Sequence, residues 1–215
     1  MVIIKETKQL FVVTMLTALL ALFSCKKEHR LSEPPAETFS SVKVGGKFYK
    51  VKACGAQAWT IENYDGEGGV SLAAENIKAG FGKYYTQEEA LGLGLPPGWR
   101  LPTTADYVKL CKSYGIELSQ NAYNEDGSRI RDLMSIDTWD TSSGSNASGF
   151  NAFPAGFVYY GLEVGQGKFA RFWTADKHER LQSYFTIRND NGFPVSGIRS
   201  VGNIEWLSLR FVKDI

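Results

Sequence analysis

Cysteine and histidine are scarce, with three Cys and two His in 215 residues. The chain therefore has no CxxC pair, no HExxH and no zinc-ligand spacing, and too few cysteines for a disulfide framework. Neither sign of charge is in excess: Lys+Arg 24 against Asp+Glu 23 gives a formal net charge of +1. No global field draws the chain to nucleic acid, which is excluded as a partner, or to an anionic membrane face. Long apolar runs are missing except over residues 10–23, broken only by Thr14 and Thr17. That run is too short to span a hydrocarbon core of roughly 30 Å comfortably.

What is present divides the chain in three. Residues 1–24 carry a short charged start (Lys5, Glu6, Lys8), the apolar run, and then Leu22-Phe23-Ser24 before Cys25. A small residue immediately before Cys is what a bacterial lipoprotein signal peptidase requires. Residues 1–24 therefore read as a lipoprotein signal peptide and Cys25 as the lipidation site, bearing palmitate-type acyl chains. An ordinary secretory signal or an uncleaved anchor is the alternative. Cleavage removes two Lys and one Glu, so the mature chain is formally neutral and its membrane partnership rests on acyl chains rather than charge. Residues 25–40 read as a lipidated tether, polar and stiffened by Pro34-Pro35. The expected location is the cell envelope, anchored to the outer membrane and either periplasmic or surface-exposed.

Residues 41–215 hold all 22 glycines and read as one turn-rich domain. Gly45-Gly46 between two short β-type runs marks a hairpin, because its turn needs positive φ at both centres. Thr86 and Glu89 stand at capping-box spacing before a short helix, and Thr103 and Asp106 repeat that spacing. The second helix carries an apolar stripe, Tyr107, Leu110, Cys111 and Tyr114, and stops at Gly115. Residues 121–149 read as long loops with at most one short helix. Short aromatic or β-branched runs at 157–160, 169–174, 183–187 and 206–212 read as antiparallel strands. The expected class is α+β: two short helices early, a twisted antiparallel sheet completed late, and long irregular loops.

Several ordered motifs resemble one family. Gly98-Trp99-Arg100-Leu101-Pro102-Thr103 with Asp106-Tyr107 and Leu110 is similar to the "GWRLPT..EW..L" element of the Fibrobacter succinogenes major paralogous domain, common in lipoproteins of Bacteroidetes. Gln57, Trp59, Glu62 and Asn63 resemble its "Q.W...EN", and Tyr84-Tyr85-Thr86 its "YT". Gly149-Phe150-Asn151-Ala152-Phe153-Pro154-Ala155-Gly156 resembles "GFNALPAG", Phe172-Trp173-Thr174 "FWT", and Ser208-Leu209-Arg210-Phe211-Val212-Lys213-Asp214 "SVRCVKD". The resemblance covers about residues 44–214. It implies a C-type-lectin-like fold, distantly shared with formylglycine-generating enzymes. Leu95 and Phe211 stand where the family often has cysteines, which suggests a core contact in place of a cross-link worth about 2–4 kcal/mol.

Candidate chemistry is thin. Cys54 and Cys111 form one disulfide or remain two buried thiols. His178 has no nucleophile or metal motif beside it, so no catalytic residue is assigned and the chain is read as a non-enzyme. Formylglycine-type oxidation is the lesser alternative, since its reactive Cys pair lies late in the domain and the last Cys here is Cys111. Trp59, Glu62, Asn63, Trp99, Arg100, Pro102 and Trp173 read as residues that fix the fold, with Glu62 and Asn63 bonding backbone rather than acting as acid and base. Trp139, flanked by Asp137 and Asp140, reads as a stacking platform for a sugar or peptide. Asn189, Asp190 and Asn191 offer oxygen ligands for calcium, against a plain β-turn, and no other cofactor is expected. The expected function is a non-catalytic binding or adhesion module for a glycan or protein ligand, presented on loops 121–149 and 177–203. A structural part in an envelope or fimbrial assembly is the alternative.

Overall fold

The computed structural model describes residues 40–76, 78–118, 123–202 and 205–215. The signal peptide, Cys25, nearly all of the tether and the side chain of His178 lie outside the described residues. The chain begins with the expected hairpin, β1 (Ser40–Val44) and β2 (Lys47–Cys54), closed by Gly45 at φ 54° and Gly46 at φ 86°. Val42, Val44, Tyr49 and Val51 alternate inward on its two strands, as period-two patterning requires. β3 (Gln57–Thr60) and the last strand, β13 (Val212–Asp214), complete this sheet in the order β1-β2-β3-β13.

Three further antiparallel sheets follow. β4 (Val70–Ser71) pairs with β5 (Lys83–Tyr84). β6 (Tyr123–Asn124), β11 (Val195–Val201), β10 (Leu181–Arg188) and β9 (Phe169–His178) form a four-stranded sheet in that order. β12 (Glu205–Trp206), β7 (Phe157–Tyr159) and β8 (Leu162–Val164) form a three-stranded one. The α-helices are α1 (Gln87–Leu91), α2 (Thr104–Ser113) and α3 (Gly127–Ile130). Thr86 with Glu89 and Thr103 with Asp106 both make full capping boxes, each satisfying two otherwise orphaned amides. Gly115 follows α2 at φ 71°.

This architecture corrects the expected class. The domain is mostly β, with several separate antiparallel sheets and three α-helices among the described residues, not an α+β C-type-lectin-like fold with two early helices and one late sheet. The helices are short because their apolar stripes are short, and many strands run only two or three residues. Segment 177–203 is also corrected from loop to sheet: it contains β10 and β11. The expected strand 206–212 is divided. Between β12 and β13 the chain threads the interior, with Leu207 bridged to Tyr85 and Ser208 to Phe172, so its amides are satisfied by two different neighbours instead of one ladder.

The largest core cluster lies where α2 covers β9 and β10. Tyr107 stacks on Phe185 with centroids 4.5 Å apart, and Trp59 meets Tyr107 at 5.1 Å and Phe150 edge-on at 5.5 Å. Such pairs add about 0.5–1.5 kcal/mol each beyond burial. A second cluster under the first hairpin holds Tyr49, Tyr64, Tyr85, Trp173 and Phe211, with Leu95 and Trp99 packed against it. Leu95 and Phe211 thus share one apolar cluster. A third, around Leu72, Phe81, Tyr84 and Val158, supports β12 through partly buried Trp206.

Candidate functional site

Most of the polar motif residues are consumed in two hubs. In the first, Arg210 is fully buried and, among the described residues, hydrogen-bonds no carboxylate. Its Nε donates to Asn63 Oδ1 at 2.7 Å, Nη1 to the carbonyls of Thr60 and Phe150 at 2.8 and 2.9 Å, and Nη2 to Asn151 O at 2.7 Å. The guanidinium also lies 5.1 Å from the Phe150 ring centroid and 5.3 Å from that of Phe172. Burial pulls its pKa down to about 9, which leaves it charged at neutral pH. Asn63 completes the hub by donating to Phe81 O at 2.8 Å and Ser208 Oγ at 3.2 Å.

The second hub is Asp106, buried at the start of α2. It accepts from Gln57 Nε2 at 2.7 Å, Thr103 N and Oγ1 at 2.7 Å each, Arg100 Nη2 at 3.0 Å, and Arg100 Nη1. Burial works to raise the Asp106 pKa, but the Arg100 guanidinium and the Thr103 and Gln57 donors outweigh it and hold the carboxyl well below the usual carboxylate range. Arg100 and Gln57 both continue to Asp214, at 3.1 and 2.9 Å. A carboxylate with every lone pair engaged is a brace rather than an acid or base. Glu62 is likewise committed, accepting from Lys50 N at 3.0 Å. Trp59 and Trp173 are buried, the latter donating from Nε1 to Tyr85 O at 2.6 Å. Pro102 is buried at the same helix start.

Cys54 and Cys111 are free and buried. Burial pushes the Cys54 thiol up to about 11 and Cys111 higher still, so neither forms a thiolate nucleophile at neutral pH. Trp139 is corrected: it is only 8 % exposed and belongs to the main core cluster, so its face is closed to a ligand, while Asp137 and Asp140 remain on the surface. The polar sequence around Trp139 folds back over its own aromatic residue. Asn189, Asp190 and Asn191 diverge instead of forming a ligand set. Asn189 is buried and donates to Ser142 Oγ at 2.9 Å, Asp190 pairs with Arg188 Nε at 3.0 Å, and Asn191 Oδ1 accepts from Phe193 N at 3.2 Å. Among the described residues no group of three or more His, Cys, Asp or Glu is placed to hold a metal ion. The Asn189 contacts do join this turn to loop 137–142, with Thr141 Oγ1 on Asn189 O at 3.0 Å.

The surface with unspent chemistry lies elsewhere. A cleft of about 210 Å³ opens between β4 and the β12-β7-β8 sheet, lined by Val70, Ser71, Val158, Gly161, Glu163 and Trp206. Val158 pairs with both Trp206 and Glu163 across the strands, so these three side chains share the face that looks into the cleft. Glu163 Oε1 accepts from Ala73 N and Oε2 from Asn76 Nδ2 at 2.7 Å, clamping β8 to the segment after β4. The opposite face is fixed by Arg171 on β9. It pairs with Glu205 Oε2 at 2.7 Å, lies 3.6 Å over the Phe157 ring, and so seats the strand that carries Trp206. Burial raises the Glu205 pKa against the attraction of Arg171. Tyr159, Leu162 and Val164 on that opposite face are exposed, and Tyr160 at the hairpin turn is 69 % exposed.

Sequence reasoning missed this cleft because Trp206 reads as the first residue of a long strand, and residues 157–160 as an ordinary strand. The available signal was Tyr159-Tyr160-Gly161, an aromatic pair at a glycine turn. A second recess of about 290 Å³, beside α2, is lined by Lys109, Lys112 and Ser113 and by the hub residue Gln57.

Residues 45–213 match the family model of the Fibrobacter succinogenes major domain. No curated protein matches the chain, and no solved structure does.

Proposed function

We propose that this chain, which belongs to the Fibrobacter succinogenes major domain family, is a lipid-anchored envelope protein that binds a glycan at the Trp206 cleft without transforming it. The observation that carries this reading is the division of labour among polar groups. The motif residues Asn63, Arg100, Asp106 and Arg210 are committed to internal hydrogen bonds. The cleft, by contrast, combines a half-buried indole, a hydroxyl and a carboxylate with free acceptor positions. An indole set among about as much polar as apolar lining suits a ring that presents C–H on one face and hydroxyls at its edge. Anchoring falls to Cys25, since a formally neutral domain gains nothing from membrane charge.

The test takes the full chain in detergent and titrates it with soluble polysaccharides. Binding is expected, and Trp206→Ala should weaken it at least about tenfold, equivalent to roughly 1.4 kcal/mol, while circular dichroism shows the variant still folded at a lower melting temperature. Binding untouched by that substitution would move the site elsewhere. In cells, Cys25→Ala should abolish labelling by tritiated palmitate and release the protein from membranes. Assembly with an envelope protein is the second reading, favoured by the exposed Tyr159, Leu162 and Val164 on the outer face of the same sheet. It predicts that Tyr159→Ser with Leu162→Ser removes the interaction while Trp206→Ala spares it.

A further inference from the structure

We infer that the Trp206 cleft selects a single uncharged sugar ring of a neutral glycan, and that Glu163 is the residue that turns acidic sugars away. The inference rests on the glycan-binding reading above and adds the ligand class. Size comes first. At about 210 Å³ the cleft is smaller than the roughly 300–1,000 Å³ of pockets that enclose drug-sized molecules, so it seats one ring while the rest of the polymer runs over the rim. Its floor is apolar, formed by Trp206, Val70 and Val158, and Gly161 leaves the turn side open, with no heavy atom within 4 Å of where a Cβ would stand.

Charge decides the rest. Among the described residues that line the cleft, Glu163 is the one ionisable side chain, and none is Lys or Arg. Lys83, opposite Ser71 in the β4–β5 pair, is turned to the carbonyls of Gly66 and Gly68 at 2.9 and 3.3 Å. A carboxylate offers about four acceptor positions, and Ala73 N and Asn76 Nδ2 use two of them. The remaining two accept from ligand hydroxyls, and Ser71 adds a hydroxyl that donates or accepts. A uronate, sulfate or phosphate placed in the same cleft would face the Glu163 carboxylate with no cation among the described lining residues to offset it. Such like-charge contact at about 4 Å costs on the order of 1 kcal/mol even in a water-like dielectric.

The experiment titrates the full chain in detergent with neutral gluco- and manno-oligosaccharides and with oligogalacturonates of matched length, at low and high salt, following tryptophan fluorescence. At least one neutral series should bind, with the acidic series about fivefold weaker or worse at low salt, and the gap should narrow as salt rises. Glu163→Gln should close most of that gap, and Ser71→Asp, which adds a second carboxylate at an exposed rim position, should widen it without touching the Glu163 clamp. Equal or tighter binding of the acidic series by the unmodified chain overturns the inference, as does a ratio unmoved by both substitutions. If neither series binds and envelope proteins do, the glycan reading itself fails. If sugars bind in a Trp206-dependent way without charge discrimination, only the present inference fails.

Discussion

Arg210→Met offers the sharpest test of how the domain is held together. The substitution removes a buried cation and leaves four acceptors behind: Asn63 Oδ1 and the carbonyls of Thr60, Phe150 and Asn151. A buried acceptor left unpaired costs about 1–3 kcal/mol, and since Asn151 O is only part-buried, the three buried ones come to at least about 3 kcal/mol. Met fills most of the volume and relieves the cost of burying charge, an exchange that can be neutral when both members of an ion pair are replaced together. Here the acceptors are backbone and Asn63, so they stay, and a net loss of about 3–5 kcal/mol is expected. With a urea m-value near 2 kcal/mol/M the midpoint falls by about 1.5–2.5 M. Arg210→Lys, which keeps the charge and three donors but loses the planar fork, should fall between. Urea unfolding followed by circular dichroism reads both. A loss below about 1 kcal/mol for Arg210→Met would refute the hub.

Other outcomes follow from the same contacts. The folded pKa of Asp106 lies below its unfolded value, so its stabilisation is fully present above the unfolded carboxylate range near pH 4 and is lost as pH falls from there toward the folded value. Asp106→Asn should cost about 2–3 kcal/mol at neutral pH and flatten the acid limb of a melting-temperature profile; an unchanged acid limb would contradict the hub. Because Cys54 and Cys111 are free, a reductant should leave the melting temperature unchanged, and both thiols should react with an alkylating reagent only after unfolding. A drop on reduction would indicate a bridge. Gly156, at φ 76°, has Val164 O 2.3 Å from where a Cβ would stand, so Gly156→Ala should destabilise the domain by more than the usual surface substitution and weaken binding at the adjacent cleft, read by melting and titration together.

The sequence made legible what local chemistry decides. The Gly45-Gly46 turn needs two positive φ angles, and both caps satisfy their amides within three residues, so these features stand where the pattern puts them. The hubs were half legible: Asn63 reads as a bonding residue, but its partner Arg210 lies 147 positions on, and no spacing rule reaches that far. The fold class was not legible, because two-residue strands such as β4, β5 and β12 carry no periodicity and the interior passage of Leu207 to Phe211 looks like a strand. Trp139 and Trp206 illustrate the same limit from two sides. Polar neighbours suggest exposure for the first, which is buried, and apolar neighbours suggest a strand interior for the second, which lines the cleft.

The most direct measurement is the indole N–H spectrum of the ¹⁵N-labelled protein during titration with a neutral oligosaccharide. The chain has five tryptophans, and Trp206→Phe identifies the resonance of Trp206 by its loss. Binding at the cleft shifts that resonance while those of buried Trp59, Trp139 and Trp173 hold still. A saturable binding curve in which the Trp206 resonance does not move would contradict the central claim.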